Sequence, residues 1–438
     1  MFTRRSVLGS GAAALAGTAL PLPVAAASPG DFVTRRGTGL FLGGKPHRFV
    51  GANMWYAAWL GADAPWGNRD RLRRELDALA AMGVRNLRIA ASAEDSPLRN
   101  SVKPAFRTRG SAWNPALVEG LAFALSELAR RDMKAVLYLT NFWEWSGGMM
   151  TYLSWANGGK YLDMNDPAHP WPAFPDMAAQ FYANAEAVGL YRDYVRATVE
   201  RHAGDPAIMA WQLANEPRPG GSAKAAEPLL SAYYGWIQGT ARLIKSLAPR
   251  HLVSTGSEGL MGSIERADIY RAAHGFPEID YLTAHIWPLN WGWVDAGNLA
   301  GTNEASFARV REYIARHIAL ATELGKPLVI EEFGYPRDGG GYDPESATRF
   351  RDLYYKLIYD AVEASARAGG PITGSNFWAW NGEGRPAHGD HRFRPGDTAW
   401  LGDPPHEPQG WYGVFDGDAT TRAAIQAHAH ALAATHGD

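Results

Sequence analysis

The sequence predicts an α/β protein folded as a (β/α)8 TIM barrel, and three observations carry this prediction. Eight short apolar runs typical of strands occur along the chain, and most of them are followed by a run with helical periodicity; such alternation favours a parallel sheet that can close into a barrel. The segments after the strands are long and rich in Trp, Gly, Pro and Asn, whereas those before them are short. Two of the apolar runs end in carboxylates, as expected for functional groups at the C-terminal face of a barrel.

The first 27 residues have the pattern of an export signal. The pair Arg4-Arg5 precedes an Ala-, Gly- and Leu-rich stretch over residues 9–20, and Ala25-Ala26-Ala27 provides small residues for cleavage. This stretch is shorter than the roughly 20 apolar residues that span a bilayer. The paired arginines resemble a twin-arginine signal with cleavage after Ala27, and an ordinary secretory signal is the alternative. We therefore expect the mature chain, residues 28–438, in the periplasm or outside the cell.

The remaining elements follow in order along a single predicted domain. A hairpin with a Gly43-Gly44 turn covers residues 39–50, and alternating apolar runs and helical periodicity define the rest. The strands are predicted at residues 49–53, 84–90, 135–140, 208–213, 252–255, 281–285, 328–332 and 374–378. The helices are predicted at residues 69–81, 117–130, 187–201, 229–247, 307–324, 350–366 and 420–433. A doubly wound open sheet is the alternative, but no Gly-x-Gly-x-x-Gly motif follows the first strand.

Composition excludes several classes of function. The chain has 438 residues, 43 Lys and Arg against 45 Asp and Glu, and a net charge of −2, so a nucleic-acid partner is not expected. It contains no cysteine, which excludes disulfides, thiolate catalysis and Cys-ligated metals.

Two carboxylates stand out at the ends of apolar runs. Glu216 follows the run that begins near Ile208, and Glu332 closes the run that begins at Leu328. A carboxylate at the tip of a buried strand is costly to desolvate unless it has partners or a function. Parallel strands of a barrel bring their C-terminal tips to one face, and paired carboxylates in a common cleft catalyse retaining glycoside hydrolysis.

At this point the chain resembles glycoside hydrolase family 5, and within it the bacterial β-mannanases. The resemblance rests on Asn215-Glu216-Pro217 and Glu332-Phe333-Gly334, and on shorter motifs at other strand ends. Those shorter motifs cover residues 50–56, 86–89, 139–143, 285–288 and 377–380. It implies that Glu216 is the general acid/base with a raised pKa and Glu332 the nucleophile, about 5–5.5 Å apart. Glu331 is the alternative nucleophile, although neighbouring strand residues point to opposite faces.

The resemblance also implies a set of substrate-binding residues. Arg88 would keep Glu332 ionised, Asn215 would bind the sugar 2-hydroxyl, and His285 would join the carboxylate network. Trp378 would form a platform beneath the reacting sugar, since sugar rings pack on aromatic faces. Many relatives carry Tyr where this chain has Trp287, whose indole can donate a hydrogen bond but has no hydroxyl. The remaining predicted binding residues are Asn53, Trp55 and Trp143.

We expect no cofactor and no catalytic metal. The loop with His388, Asp390, His391, Asp397, Asp403 and His406 could hold a structural metal, but solvated loop residues are the favoured interpretation.

The predicted function is endo-β-1,4-mannanase activity on mannan, glucomannan or galactomannan. An exo-β-mannosidase, a β-1,4-glucanase and a non-catalytic carbohydrate-binding barrel are the alternatives. We expect a monomer without a membrane anchor or nucleic-acid partner. Mannose specificity rests on the family resemblance alone, and endo or exo action is left open.

Overall fold

The computed structural model describes residues 28–110 and 112–435; the predicted export signal lies outside the described residues. The chain begins with a small antiparallel sheet of β1 (Thr34–Arg36), β2 (Gly39–Leu42) and β3 (Lys45–Pro46). Gly43 and Gly44 form the predicted turn with φ values of 57° and 80°, a region that glycine enters without steric cost. The predicted N-terminal hairpin is confirmed.

Eight parallel strands form the barrel, and all eight were predicted. They are β4 (Phe49–Asn53), β5 (Asn86–Ala90), β6 (Lys134–Tyr138), β7 (Ile208–Gln212), β8 (Leu252–Ser254), β9 (Leu282–Ile286), β10 (Leu328–Phe333) and β11 (Ile372–Phe377). Except for β8 and β9, each strand pairs with its neighbour in chain order, and β11 pairs with β4. Between β8 and β9 the regular ladder is missing, but Asp280 N donates to Val253 O (2.7 Å) and His285 N donates to Glu258 O (2.9 Å). The barrel is therefore nearly closed.

Helices surround the barrel, and the predicted ones are confirmed with small shifts in their ends. They are α1 (Ala57–Gly61), α2 (Arg69–Ala81), α3 (Pro115–Ala129), α4 (Gly148–Ala156), α5 (Ala173–Ala178), α6 (Ala185–His202), α7 (Ala223–Ala226), α8 (Leu230–Leu247), α9 (Ala267–Gly275), α10 (Leu299–Leu324), α11 (Arg349–Arg367) and α12 (Ala419–Ala434). No helix within the described ranges is long and apolar enough to cross a membrane.

Six helices differ from the sequence-based expectation. Five were not predicted, because helices of four to nine residues offer too little apolar periodicity; they are α1, α4, α5, α7 and α9. Helix α10 begins at Leu299, about two turns before the predicted start, because the Asn298 side chain accepts a hydrogen bond from Gly301 N (3.1 Å) and caps it there.

The loop after β6 contains α4 and α5 and is held close to the barrel by two glycines. Gly147 and Gly148 have φ values of 90° and 64°. A Cβ at these positions would lie 2.5 Å from Glu94 O and 2.4 Å from Asn141 O, so only glycine fits. This close approach fixes the segment that carries Trp143 and Trp145 over the C-terminal end of the barrel.

Candidate active site

A cavity of about 550 Å³ opens at the C-terminal ends of the barrel strands. Its walls come from the long loops after β6, β7, β8, β9 and β11. Four carboxylates and several tryptophans line it. The carboxylates are Glu216, Glu258, Glu332 and Glu407, and the tryptophans are Trp143, Trp145, Trp171, Trp287, Trp291 and Trp378.

Glu216 and Glu332 meet at the floor of this cavity. A carboxylate oxygen of each, together with a ring nitrogen of His285, lies within 4.8 Å of the others. This spacing fits the short separation of a retaining carboxylate pair and is below the 6.5–9.5 Å expected of an inverting pair. Glu216 follows β7 with a φ of 50°, an uncommon conformation for a residue other than glycine.

Arg88, at the end of β5, is fully buried directly beneath Glu332. Its Nη1 donates to Glu332 Oε1. The other nitrogens are also engaged, since Nε donates to Gln212 Oε1 (2.8 Å) and Nη2 to Asn215 Oδ1 (2.8 Å). Burial lowers the pKa of Arg88, but Glu332 and Glu331 outweigh burial and raise it. The guanidinium is thus a fixed positive charge against the proposed nucleophile.

Glu331 and Glu332 both turn toward this cation, although regular alternation predicts opposite faces. The ladder between β10 and β9 pairs Ile330 with Ala284 and Glu332 with His285, so Glu331 is an extra residue in a bulge. A bulge re-aims side chains in this way. Glu331 Oε2 lies 3.6 Å from Arg88 Nε and is wholly buried, whereas Glu332 lines the cavity. Of the two, only Glu332 is placed to meet a substrate.

His285 contacts Glu216 and Glu332, the two carboxylates at the floor of the cavity. Its Nδ1 lies 2.6 Å from Glu216 Oε1 and 3.3 Å from Glu332 Oε2. Burial lowers the pKa of His285, but Glu332 and the hydrogen bonds to the three carboxylates raise it well above its usual value. Burial alone would raise the pKa of Glu216, and the hydrogen bond from His285 lowers it instead. The raised pKa expected for Glu216 is therefore not found, because the hydrogen bond from His285 favours the ionised carboxylate.

Trp143 completes the surroundings of Glu216. Its Nε1 donates to Glu216 Oε2 (2.5 Å). Its backbone N donates to Asn141 Oδ1 (3.1 Å), which also accepts from Asn215 Nδ2 (3.0 Å). The ends of β6 and β7 are thereby joined at the site.

Comparisons with known proteins agree with this geometry. The family model described as "GH family 5 beta-mannosidase-like" matches residues 30–436. The chain belongs to glycoside hydrolase family 5. It is 29% identical to a putative mannan endo-1,4-beta-mannosidase 9 of Oryza sativa over 80% of this chain and 81% of that one. It is also 29% identical to a probable mannan endo-1,4-beta-mannosidase A of Aspergillus flavus, over 73% and 76% of the two chains.

Solved structures point the same way. The family 5 mannosidase of Rhizomucor miehei, in complex with mannosyl-fructose, has a TM-score of 0.85 and 32% identity, covering 93% of this chain and 99% of that chain. The endo-1,4-beta-mannanase of the same organism has a TM-score of 0.65 at 19% identity, over 92% and 99% of the chains, and shares the fold.

In this family 5 enzyme the structure separates the predicted binding residues into two groups. Trp143, Asn215, Trp287 and Trp378 line the cavity. Trp378 Nε1 is buried and has no hydrogen-bond partner within the described residues. Trp287 packs edge-on against Trp378, with ring centroids 5.8 Å apart. Within the described residues no hydrogen bond joins Trp287 to Glu332, whereas His285 Nδ1 lies 3.3 Å from Glu332 Oε2.

The second group lies beneath the cavity. Arg88 and His285 contact the carboxylates from below. Asn53 donates to Glu331 O (2.9 Å) and accepts from Arg88 Nη1 (3.2 Å), so it positions the ion cluster. Trp55 was predicted to bind substrate but does not line the cavity. It is only 1% exposed and its Nε1 donates to Gly402 O (3.0 Å) inside the core.

Four titratable lining residues of the family 5 enzyme were not predicted to belong to this site. Arg218 and Glu258 form a buried ion pair, and the Arg218 guanidinium lies 5.1 Å from the Trp143 ring centre. Glu258 follows β8, so its position at a strand end was the available signal. His406 and Glu407 enter from the 380–413 loop; the sequence analysis considered His406 only as a candidate metal ligand, and no signal marks Glu407. Burial raises the pKa of Glu407 well above its usual value and lowers that of His406 to about 4.

The loop considered for a structural metal uses its polar groups within the protein. His388 Nε2 lies 3.0 Å from Asp397 Oδ1, and Asp403 accepts hydrogen bonds from Gly410 N and Tyr412 N. Within the described residues, this loop contains no cluster of three His, Asp or Glu side chains spaced to hold an ion.

Proposed function

We propose that this family 5 enzyme cleaves β-1,4-mannosidic bonds by double displacement through a glycosyl-enzyme. Glu332 attacks the anomeric carbon, while Glu216 assists departure of the leaving oxygen. The observation that carries this proposal is the close carboxylate pair, with Glu332 held by Arg88 and Glu216 by His285 and Trp143. We assign different roles to Glu332 and Glu216 because their partners differ.

The proton for the leaving group comes from the Glu216–His285 hydrogen bond. Three buried carboxylates surround two cations, Arg88 and protonated His285, so the cluster carries one excess negative charge. When Glu332 forms an ester it loses its charge, and the pKa of His285 falls because its main electrostatic partner is gone. Glu216 then serves as the base that activates water, and the proton returns to the pair.

Mannan as substrate is supported by the relatives and by the lining of the cavity. The matched proteins of Oryza sativa and Aspergillus flavus are named mannan endo-1,4-beta-mannosidases. The six tryptophans of the cavity suit the C–H faces of a sugar chain, and Trp378 Nε1 is a buried donor available to a hydroxyl. We propose endo action on mannan, glucomannan or galactomannan.

Exo-β-mannosidase action is the second candidate. The 380–413 loop brings His406 and Glu407 to the wall of the cavity, where the His406 ring stacks on Trp145 with ring centroids 6.4 Å apart. A loop that closes one end of a groove would restrict cleavage to chain ends. The Rhizomucor miehei structure with a TM-score of 0.85 is described as a mannosidase.

Product analysis tests both candidates. The purified protein is incubated with mannohexaose, linear mannan and cellohexaose, and products are separated over time. Early mannobiose and mannotriose support endo action, whereas mannose alone, released stepwise, supports exo action. Turnover of cellohexaose only would contradict the substrate. Retained hydrolysis in both Glu216→Ala and Glu332→Ala would contradict the mechanism and leave a different site to be found.

Export and quaternary state belong to the same proposal. The mature chain, residues 28–438, is exported as a folded monomer through the twin-arginine route. Replacing Arg4 and Arg5 by lysine should hold the protein in the cytoplasm of the producing bacterium. Light scattering of the mature chain should give a mass below the 47.7 kDa of the full chain.

A further inference from the structure

Trp171 lines the substrate cavity, yet most of its side chain is exposed to solvent. It is 61% exposed, a larger fraction than that of Tyr161 or Leu353, the other exposed large apolar side chains of the described residues. An apolar side chain that stands alone on a surface needs no explanation, but Trp171 adjoins the Trp143 ring in the cavity wall. Its free indole surface is therefore available to a ligand in that cavity.

The contacts of Trp171 lead toward Glu216. Its ring centre lies 6.4 Å from that of Trp143, with 32° between the ring planes, and Trp143 Nε1 donates to Glu216 Oε2 (2.5 Å). The Arg218 guanidinium, which follows Glu216 closely in the chain, lies 5.1 Å from the Trp143 ring centre and 5.8 Å from that of Trp171. Within the described residues, no hydrogen bond or ring contact links Trp171 to the surroundings of Glu332. Trp171 therefore belongs to the Glu216 side of the cavity.

The segment that carries Trp171 is held in place by the loop after β7. Asp176 Oδ1 accepts hydrogen bonds from Gly221 N (2.8 Å) and Ser222 N (3.0 Å), and its Oδ2 accepts one from Ser222 Oγ (2.9 Å). Gly221 packs so closely on this segment that a Cβ there would lie 2.7 Å from Pro172 Cβ. Trp171 thus has its position before a ligand binds, and such preorganisation lowers the entropic cost of binding.

We propose that Trp171 is a platform for a sugar of the leaving group and that this contact makes the enzyme select long chains. The inference rests on the proposed function, because Glu216 marks the leaving-group side only if it assists the leaving oxygen. The C–H faces of a sugar ring pack on aromatic rings. Trp143 contacts Glu216 directly and Trp171 does not, so a sugar on Trp171 lies beyond the one next to the scissile bond.

Kinetics on short and long substrates test this role. The short substrate is the shortest aryl β-mannoside or β-mannobioside that the wild type hydrolyses, whose leaving group ends before Trp171; the long one is mannohexaose. In Trp171→Ala, the ratio of kcat/KM on mannohexaose to that on the aryl substrate should fall about tenfold, mainly through KM. Trp171→Phe keeps an aromatic face and should recover most of the ratio. A wild-type ratio in Trp171→Ala, whether both values fall or neither does, would overturn the proposal.

Tyr161→Ala is the matched control for these measurements. Tyr161 is an aromatic residue on the same long loop and is 40% exposed, but it does not line the cavity. Its replacement should keep the wild-type ratio. A fall equal to that of Trp171→Ala would show that the loop as a whole, and not the Trp171 ring, sets the preference for long chains, and would contradict the proposal.

The bond cleaved in mannopentaose labelled at its reducing end shows on which side of the scissile bond Trp171 acts. Loss of a leaving-group contact should shift cleavage toward the reducing end. A shift toward the non-reducing end would place Trp171 on the other side of the scissile bond and contradict the proposal. If the wild type releases only single mannose units, chain length varies on the leaving-group side alone, and the kinetic ratio decides.

Binding without turnover separates this inference from the proposed function. Calorimetry measures the Kd of mannohexaose for Glu332→Gln, with and without Trp171→Ala, and the second substitution should raise the Kd about tenfold. Equal Kd values, or no binding of mannohexaose, would overturn the platform. Failure of the wild type to hydrolyse any mannoside would instead contradict the proposed function, whatever the Kd values are.

Discussion

His285 Nδ1 lies 2.6 Å from Oε1 of Glu216 in the floor of the cavity. The two groups hold one proton between them, and the surrounding carboxylates favour its place on the imidazole. A family 5 enzyme that needs an acid and a base from the same glutamate can thus keep its proton within one hydrogen bond of the leaving oxygen.

The first prediction concerns stability against pH. The pKa of His285 is raised in the folded protein, so the native state keeps a proton that the unfolded chain releases above about pH 6.5. The stabilisation is complete below that pH and is lost as the pH rises through the folded-state pKa. In this window the histidine contributes a slope of about −1.4 kcal/mol per pH unit. In urea unfolding of His285→Gln, the slope of the free energy of unfolding against pH should be less negative by that amount. His430→Gln, at an exposed position, is the control. A slope in His285→Gln equal to that of the wild type would contradict a raised pKa of His285.

A second prediction separates the roles of the two glutamates. Glu332→Gln should lower kcat at least about 10⁴-fold on every substrate, because the nucleophile is gone. Glu216→Gln should lower it about 10²–10⁴-fold on mannohexaose. On an aryl mannoside with a good leaving group, the rate of the glycosylation step should fall much less in Glu216→Gln, since the departing aryl oxygen needs little protonation. Glu304→Gln, on the surface, should behave as wild type. Equal losses of both variants on both substrates would contradict these roles.

The third prediction concerns the indole that donates to Glu216. Trp143→Phe keeps an aromatic ring but removes the Nε1 donor. Because that donor stabilises the carboxylate, its loss should raise the pKa of the Glu216–His285 pair. The alkaline limb of the pH profile of kcat/KM should therefore move to higher pH, by about half a unit to one unit. Trp113→Phe, where the ring stacks on Tyr194 outside the cavity, is the matched control. An alkaline limb at the same pH as in the wild type would show that this hydrogen bond does not affect the pKa of the Glu216–His285 pair.

The fourth prediction concerns the buried arginine. Arg88→Met leaves Glu331 and Glu332 without their shared cation. Breaking such a buried pair costs about 3–5 kcal/mol, so the free energy of unfolding should fall by that amount and kcat should fall sharply. Arg88→Lys cannot reproduce the contacts to Gln212, Asn215 and Glu332 together and should recover only part of the loss. Arg74→Met, which breaks an exposed pair with Glu383, should leave the free energy of unfolding nearly unchanged.

The barrel and its reacting groups could be predicted from the sequence because local pattern specifies them. Each strand is a short apolar run, and Glu216 and Glu332 mark the ends of two such runs. Once eight parallel strands close into a barrel, their C-terminal ends lie at one face. Glu216, Glu332 and Arg88 therefore come together regardless of the conformation of the loops. Helix α9 was missed because a short helix carries too little periodicity.

Other features depend on contacts between distant segments. The bulge at Glu331 arises from the pairing of β10 with β9, and it turns a carboxylate inward that alternation assigns to the other face. Trp55 is an aromatic residue of the kind that packs on sugar rings, but it is buried in the core. His406 and Glu407 reach the cavity from a loop about 70 residues beyond Glu332.

The sequence by itself therefore determined the fold, the family and the pair of carboxylates proposed as catalytic, since these follow from strand periodicity and from motifs at strand ends. Only the tertiary structure decided which side chains reach the cavity and how His285 and Glu216 shift each other's pKa. The physical reason is that loop packing and electrostatic coupling depend on distances across the barrel, and local sequence does not specify those distances.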